Sequence, residues 1–439
     1  MTAPTAQLLT LSASSPDALE SLTDRVCARL PGLGDDEFAA LADELRAEPA
    51  APWRRVLVET GADAAARRLG RRDPGRVLTT TARPGRPVVW MFSGVGDHYP
   101  YLAAGLYLGL PAFREHLDTC LALLRRDHDL DLHQVLHPGG AEAAAAQRRT
   151  PDLAAVFDRR AGTEEIHRTE VAQPLVFAVQ YALARAVGSL GFTPSALLDY
   201  SVGELVAATV AGVFTLEDAL RLVVTRARLI ADLPPGGMLA VAAPVGDVES
   251  RLGDGVVVAA IDSPVLTVLS GPPDPLAATG DALTGAGIAV RRLPTEHAFH
   301  STTMTPVVKP LRAAVAAATL RRPRVPLLSN TSGSWLDPGA ATSPDYWARH
   351  VTSTIRFADN LAEAWALGSP VLGSPVLVEL GPGRTLSQLA AAHPGRPPDG
   401  LVVRTLPGAF ERTPDRTVLL EATGRLWAAG IEPEWPRLG

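Results

Sequence analysis

Strand-like and helix-like stretches alternate along most of this chain. "AQLLTLSAS" has the dense apolar run of a strand, and "SPDALESLTDRVCARL" has helical spacing behind a Ser-Pro start. "FAALADELRAE" reads as a second helix, and "RRVLVETG" and "RVLTTTA" as further strands. Together they predict a small α/β unit over 1–86, closed by the Pro/Gly linker "ARPGRP". "VVWMFSGVG" then opens a new unit, with a strand of the buried type running into a glycine loop. From 236 to 295 the order reads β-α-β-β-α-β, the split, ferredoxin-like arrangement. It interrupts a larger α/β unit made of 87–235 and 296–390. The Pro/Gly-rich "HPGRPPDG" leads into a closing segment, 391–439, with one more helix, "TVLLEATGRLWAAG". The tract "GGAEAAAAQRR" (139–149) is expected to be a variable surface segment, and "GSPVLGSPVL" (368–377) is a five-residue tandem copy.

Composition narrows the class. The 439 residues are 46% apolar and 20% charged, as in an ordinary globular enzyme, and exceed one domain's usual length. A net charge of −6 argues against a nucleic-acid partner, which needs a basic face. Lys309 is the lone lysine, so covalent lysine chemistry is not expected. Two cysteines, Cys27 and Cys120, make neither a disulfide framework nor a thiolate metal site. The first residues lack the basic start and apolar core of a signal peptide, and Gln173, Pro174, Gln180 and Arg185 break the longest apolar stretch. A cytoplasmic protein with no membrane partner and no bound metal is expected.

The candidate chemistry centres on "LLDYSVGE". An apolar run ends at Ser201, Gly203 follows two positions later, and "ELVAATVAGVF" continues as a helix. A nucleophile elbow needs that order, because it places the hydroxyl at a helix start that favours negative charge. A plain helix-capping serine fits the same residues, and Asp199 stands where an elbow usually has glycine. Arg226 follows on an apolar helix flank, where an arginine is usually solvated or in a structural ion pair. His297 and His300 lie in "TEHAFHSTTM", and "SGVGDHY" (93–99) is either a simple turn or a loop of backbone donors.

Taken in order, these stretches resemble the acyltransferase domain of modular polyketide synthases, relatives of malonyl-CoA:acyl-carrier-protein transacylases. The matching segments are "LLTLSASSPDALESL", "VVWMFSGVGDHYP", "TEVAQPLVFAVQYAL", "DYSVGELVAATVAGVFTLEDALRLVVTRARLI", "HAFHS", "LLSNTSGSWL", "YWARHVTSTIRFADN" and "LVELGPGRTLSQL". The resemblance implies an α/β-hydrolase-like core with a parallel sheet and the inserted ferredoxin-like subdomain. It makes 1–86 the ketosynthase-to-acyltransferase linker domain and 391–439 the post-acyltransferase linker. It implies that Ser201 takes an acyl group from a coenzyme A thioester and passes it to the phosphopantetheine arm of an acyl carrier protein. No cofactor is expected to stay bound, and an adjacent ketosynthase domain is a further expected partner.

The same resemblance makes His300 the general base, oriented by the backbone carbonyl of His350. It makes the N–H groups of Val95 and Val202 the oxyanion hole, Arg226 the grip on a malonyl-type carboxylate, and Gln173 a further pocket residue. His297 and Phe299 of "HAFH", together with Val202, match the malonyl-selecting pattern, and Tyr200 is expected to shape the pocket. Asp199 and Tyr200 depart from the family's Gly-His, and a carboxylate at 199 is expected to crowd the elbow and repel a malonyl group. The alternatives are an editing acyl hydrolase or thioesterase, and a transferase for methylmalonyl or another unusual unit.

Overall fold

The computed structural model describes residues 5–140 and 164–435. The tract at 139–149 lies outside these residues apart from Gly139 and Gly140. The N-terminal unit is an antiparallel sheet in the order β1 (Gln7–Ala13), β2 (Trp53–Glu59), β3 (Leu78–Thr81). Its first helix, Pro16–Arg29, starts as a Ser-Pro pair dictates: the Ser15 hydroxyl accepts from the Ala18 amide, and the proline takes a position whose N–H would have no partner.

The central sheet begins with β4 (Val88–Phe92) and β5 (Ala196–Asp199), which pair in parallel and are buried along their whole length. Strands covered on both faces read as unbroken apolar runs, which is why "VVWMF" shows no alternation. The chain then leaves for the smaller unit, β6 (Gly237–Val241), β7 (Val257–Ser263), β8 (Leu266–Gly271) and β9 (Val290–Arg292). Its antiparallel order, β7-β8-β6-β9, is ferredoxin-like, with helices Val245–Glu249 and Pro273–Gly285 at the expected places. After the short hairpin β10 (Leu328–Ser329) and β11 (Ser334–Trp335), the chain returns to the central sheet as β12 (Val376–Glu379) and β13 (Leu401–Arg404).

The central order is β13-β12-β4-β5. Successive crossovers therefore leave β4 towards opposite sides, which opens a crevice at the carboxyl ends of the strands, the usual ligand site of such sheets. Ser93–Gly96 and Ser201 lie at those ends. The smaller unit is tied to this crevice by a parallel bridge between Ala260 and Ile355, two residues beyond Ser353. The closing helix, Asp415–Ala428, packs on β2, where the Arg54 guanidinium lies 4.7 Å from the Trp427 ring.

Candidate active site

Ser201 sits in a turn with φ of 54°, between β5 and the helix Gly203–Val210. That left-handed conformation costs an L-residue about 1–2 kcal/mol, and the surroundings hold it. The Tyr200 amide donates to the Phe92 carbonyl at 2.9 Å, and the Gly203 amide reaches back to the Tyr200 carbonyl at 3.0 Å. Gly203 passes so close to the end of β4 that a Cβ there would lie 2.3 Å from the Phe92 oxygen. The glycine of the elbow is thus a packing requirement. Ser201 is half-buried, so its hydroxyl remains reachable.

The Ser201 Oγ lies 2.7 Å from His300 Nε2, across a sequence gap of 99 residues. His300 Nδ1 lies 3.0 Å from the Ser353 carbonyl oxygen. A carbonyl only accepts, so Nδ1 carries the proton and Nε2 is left free to accept from the serine. Burial holds the His300 imidazole well below its ordinary value, and the neighbouring His350 ring and the Arg226 cation add to this against the pull of the Ser353 and His350 carbonyls. A neutral imidazole results.

The Ser353 carbonyl joins the expected His350 carbonyl beside the His300 ring and makes the 3.0 Å hydrogen bond. Residues His350–Thr352 form a 3₁₀ turn, and the His350 carbonyl accepts from the Ser353 amide at 3.3 Å. The main acceptor for His300 is therefore the first carbonyl beyond the turn. Nothing in side-chain identity marks a backbone oxygen, so sequence reasoning missed it. The His350 side chain instead faces Glu204, its Nε2 3.0 Å from the carboxylate, an ion-pair distance without hydrogen-bond alignment.

Val202 caps the helix after the nucleophile, and Val95 lies in the loop leaving β4. That loop presses on the elbow: a Cβ on Gly94 would be 3.4 Å from the Ser201 Cβ. Among the described residues neither the Val95 nor the Val202 N–H has a hydrogen-bond acceptor. Two free donors beside a serine hydroxyl at a helix start are the kind of groups that can hold an anionic oxygen. The Val202 side chain itself is packed in the main core.

Arg226 is 3% exposed, on the helix Leu216–Ala231, and Nη1 donates to the Gln173 Oε1. Gln173 is fixed in turn by its Nε2 donating to Thr169 at 2.6 Å. Among the described residues Arg226 pairs with no carboxylate, and its Nε has no partner. Burial brings its pKa down to about 10, which still leaves it cationic. Arg226 lines the same small cavity as His350. Phe299 is half-buried against the main core, edge-on to His297 with ring centres 6.0 Å apart, in the segment that delivers His300.

Asp199 behaves differently from the expectation. It is fully buried beneath the elbow and accepts from Asn330 Nδ2, so it neither crowds the turn nor faces the open side. Tyr200 bonds to Asp262 of β7 and packs edge-on against Phe357 at 5.5 Å. It therefore links the elbow to the smaller unit. His98, in the glycine loop, is also buried, close to His167 and held at about 4 by that burial.

Comparison with known proteins gives the family of the chain. A family model described as the acyl transferase domain matches residues 89–391. A phenolphthiocerol/phthiocerol polyketide synthase of Mycobacterium tuberculosis is 39% identical over 350 residues, covering 79% of this chain and 22% of that protein. The spectinabilin polyketide synthase system protein NorB of Streptomyces orinoci is 29% identical over 438 residues, 98% of this chain and 19% of that protein. The chain thus spans about a fifth of the length of these relatives. The acyl transferase domain of ZmaA superposes with a TM-score of 0.85 at 28% identity, covering 100% of this chain and 97% of that one. The acyl transferase domain of SpnD, in complex with 2-(pent-4-yn-1-yl)malonyl, gives 0.83 at 32% identity, covering 97% and 96%. The chain belongs to the acyl transferase domain family, as an acyltransferase domain of modular polyketide synthases.

Proposed function

We propose that this domain moves a malonyl unit from coenzyme A to the phosphopantetheine arm of an acyl carrier protein, through a covalent intermediate on Ser201. His300 Nε2 takes the serine proton as Oγ attacks the thioester carbonyl. The Val95 and Val202 amides hold the oxyanion, and on collapse the departing coenzyme A sulfur receives the proton. In the second half the phosphopantetheine thiol gives its proton to His300 and its sulfur displaces Ser201, which is reprotonated.

The observation that carries the malonyl reading is Arg226, a buried cation with an amide partner and no carboxylate, beside a neutral serine–histidine pair. A buried charge needs a partner, and a guanidinium offers a carboxylate a bidentate fork. Preference for malonyl over methylmalonyl is assigned to "HAFH", where Phe299 occupies the room of an α-methyl. We assign 1–86 and 391–439 to the linkers flanking such a domain, and a ketosynthase as neighbour.

Preloading with malonyl-CoA and then adding carrier protein that bears phosphopantetheine tests this. The malonyl mass should move to the carrier far faster than it is lost to water. Loss to water at an unchanged rate with carrier present would favour an acyl hydrolase.

A further inference from the structure

Beneath the nucleophile lies a polar cluster that acyl transfer itself does not call upon. The Asn330 Oδ1 accepts from the Ser201 amide at 3.4 Å. Its Nδ2 donates to both Asp199 Oδ1 and Glu204 Oε2, the latter at 2.8 Å, so one carboxamide is pinned between two carboxylates. Both acids are wholly buried. Glu204 is well supplied with donors: the Tyr346 hydroxyl, the Asn330 backbone amide at 3.3 Å and the Asn330 carboxamide. Among the described residues Asp199 has Asn330 alone, and its Oδ2 is buried without a partner.

We propose that Asp199 is a positioning residue for the nucleophile, fixing through the Asn330 carboxamide the left-handed backbone of Ser201. The inference rests on the reading of Ser201 as the acylated residue.

Two bare carboxylates cannot comfortably share one NH₂ in a dry site. Asp199, with fewer donors and one bare buried oxygen, is the one that takes the proton. Burial pushes the Asp199 carboxyl well above its ordinary value, and the charge of Glu204 adds to it, against the pull of Asn330. The titratable groups around it are Glu204 from the nucleophile helix and Tyr346 from helix Pro344–Arg349, with His350 beyond Glu204. The acceptor that Asn330 requires is therefore a neutral one, which an asparagine at 199 would also supply. An alanine would leave the carboxamide held on the Glu204 side alone, and a shift of Asn330 towards Glu204 would weaken the long bond that the Ser201 amide makes to it, in a turn that is costly to hold.

Single-turnover acylation by malonyl-CoA, followed by intact-protein mass, tests this in D199A, D199N, N330A and D199A/N330A, each checked by a thermal melt. D199A should lower the saturating acylation rate about 10- to 100-fold, the range for a misplaced reacting group, with half-saturation little changed. D199N should recover the wild-type rate, and the double variant should be no slower than N330A. Wild-type speed in D199A, a D199N as slow as D199A, or additive losses in the double variant would overturn the proposal. If D199A does not fold, D199N still decides: slow acylation by a folded D199N refutes it. A wild type that acquires no adduct on Ser201 would instead refute the acyl-transfer reading.

Discussion

A guanidinium held in a dry site with, among the described residues, only an amide for company is an unsatisfied charge, and on the proposed function a substrate carboxylate is what satisfies it. Two charge-assisted hydrogen bonds from Arg226 to a malonyl carboxylate would be worth about 3–6 kcal/mol together. R226A should therefore lose about 10²–10⁴-fold in malonyl transfer while acetyl transfer holds or rises. Parallel losses for both units would make Arg226 structural. The pH dependence has a definite sign. The cation is the competent form and its pKa is lowered to about 10, so malonyl transfer should be lost as pH rises through that value. Acetyl transfer, measured alongside, should not share that loss. On the acid side His300 stays neutral through its ordinary range, because burial, with the His350 ring and the Arg226 cation nearby, opposes its protonation. A malonyl rate that collapsed on crossing about 6.5, the ordinary histidine value, would contradict this placement of the base.

At the scale of elements, the elbow depends on how closely the helix Gly203–Val210 approaches the end of β4. G203A would drive a methyl into the Phe92 and Ser93 backbone, neither of which can yield as a side chain would. A destabilisation of about 3 kcal/mol or more is expected, read as a lowered melting temperature together with lost acylation. An unchanged melt would mean that the contact is not as tight as described. The segment 297–300 carries a second prediction. Replacing His297-Ala298-Phe299 by Tyr-Ala-Ser should raise methylmalonyl transfer relative to malonyl by about 10- to 100-fold, since one methyl in a pocket is worth about 1–3 kcal/mol. An unchanged ratio in direct competition would remove Phe299 from the selectivity account. The elbow was legible in sequence because strand, serine, glycine and helix are consecutive. Its support was not, because Asn330, Glu204, Tyr346 and Ser353 come from separate segments and act through an amide, a buried acid, a hydroxyl and a backbone oxygen. Asp199 misled for the same reason: its position in the turn was evident, but the direction of its side chain depends on Asn330, 131 residues away. The tandem copy at 368–377 shows the same limit. Val371 of the first copy is 90% exposed, while Val376 of the second is buried in β12, although the local sequence is identical.

Over the whole molecule, the alternation of strand and helix patterns announced both the parallel sheet and the ferredoxin-like unit. How the units meet was not announced. β7 docks on the stretch just after Ser353, and Tyr200 reaches Asp262 of that strand, so the smaller unit is tied both to the carbonyl that holds His300 and to the residue before Ser201. Among the described residues no helix is long and apolar enough to cross a membrane. Everything proposed for this frame depends on one covalent step. The intact mass of the protein after exposure to an equimolar mixture of acetyl-, malonyl- and methylmalonyl-CoA, without carrier protein, tests that step most directly. A single malonyl adduct on wild type and none on S201A is the predicted result. An adduct that persists on S201A, or a wild type that takes up acetyl in preference to malonyl, would contradict the assignment.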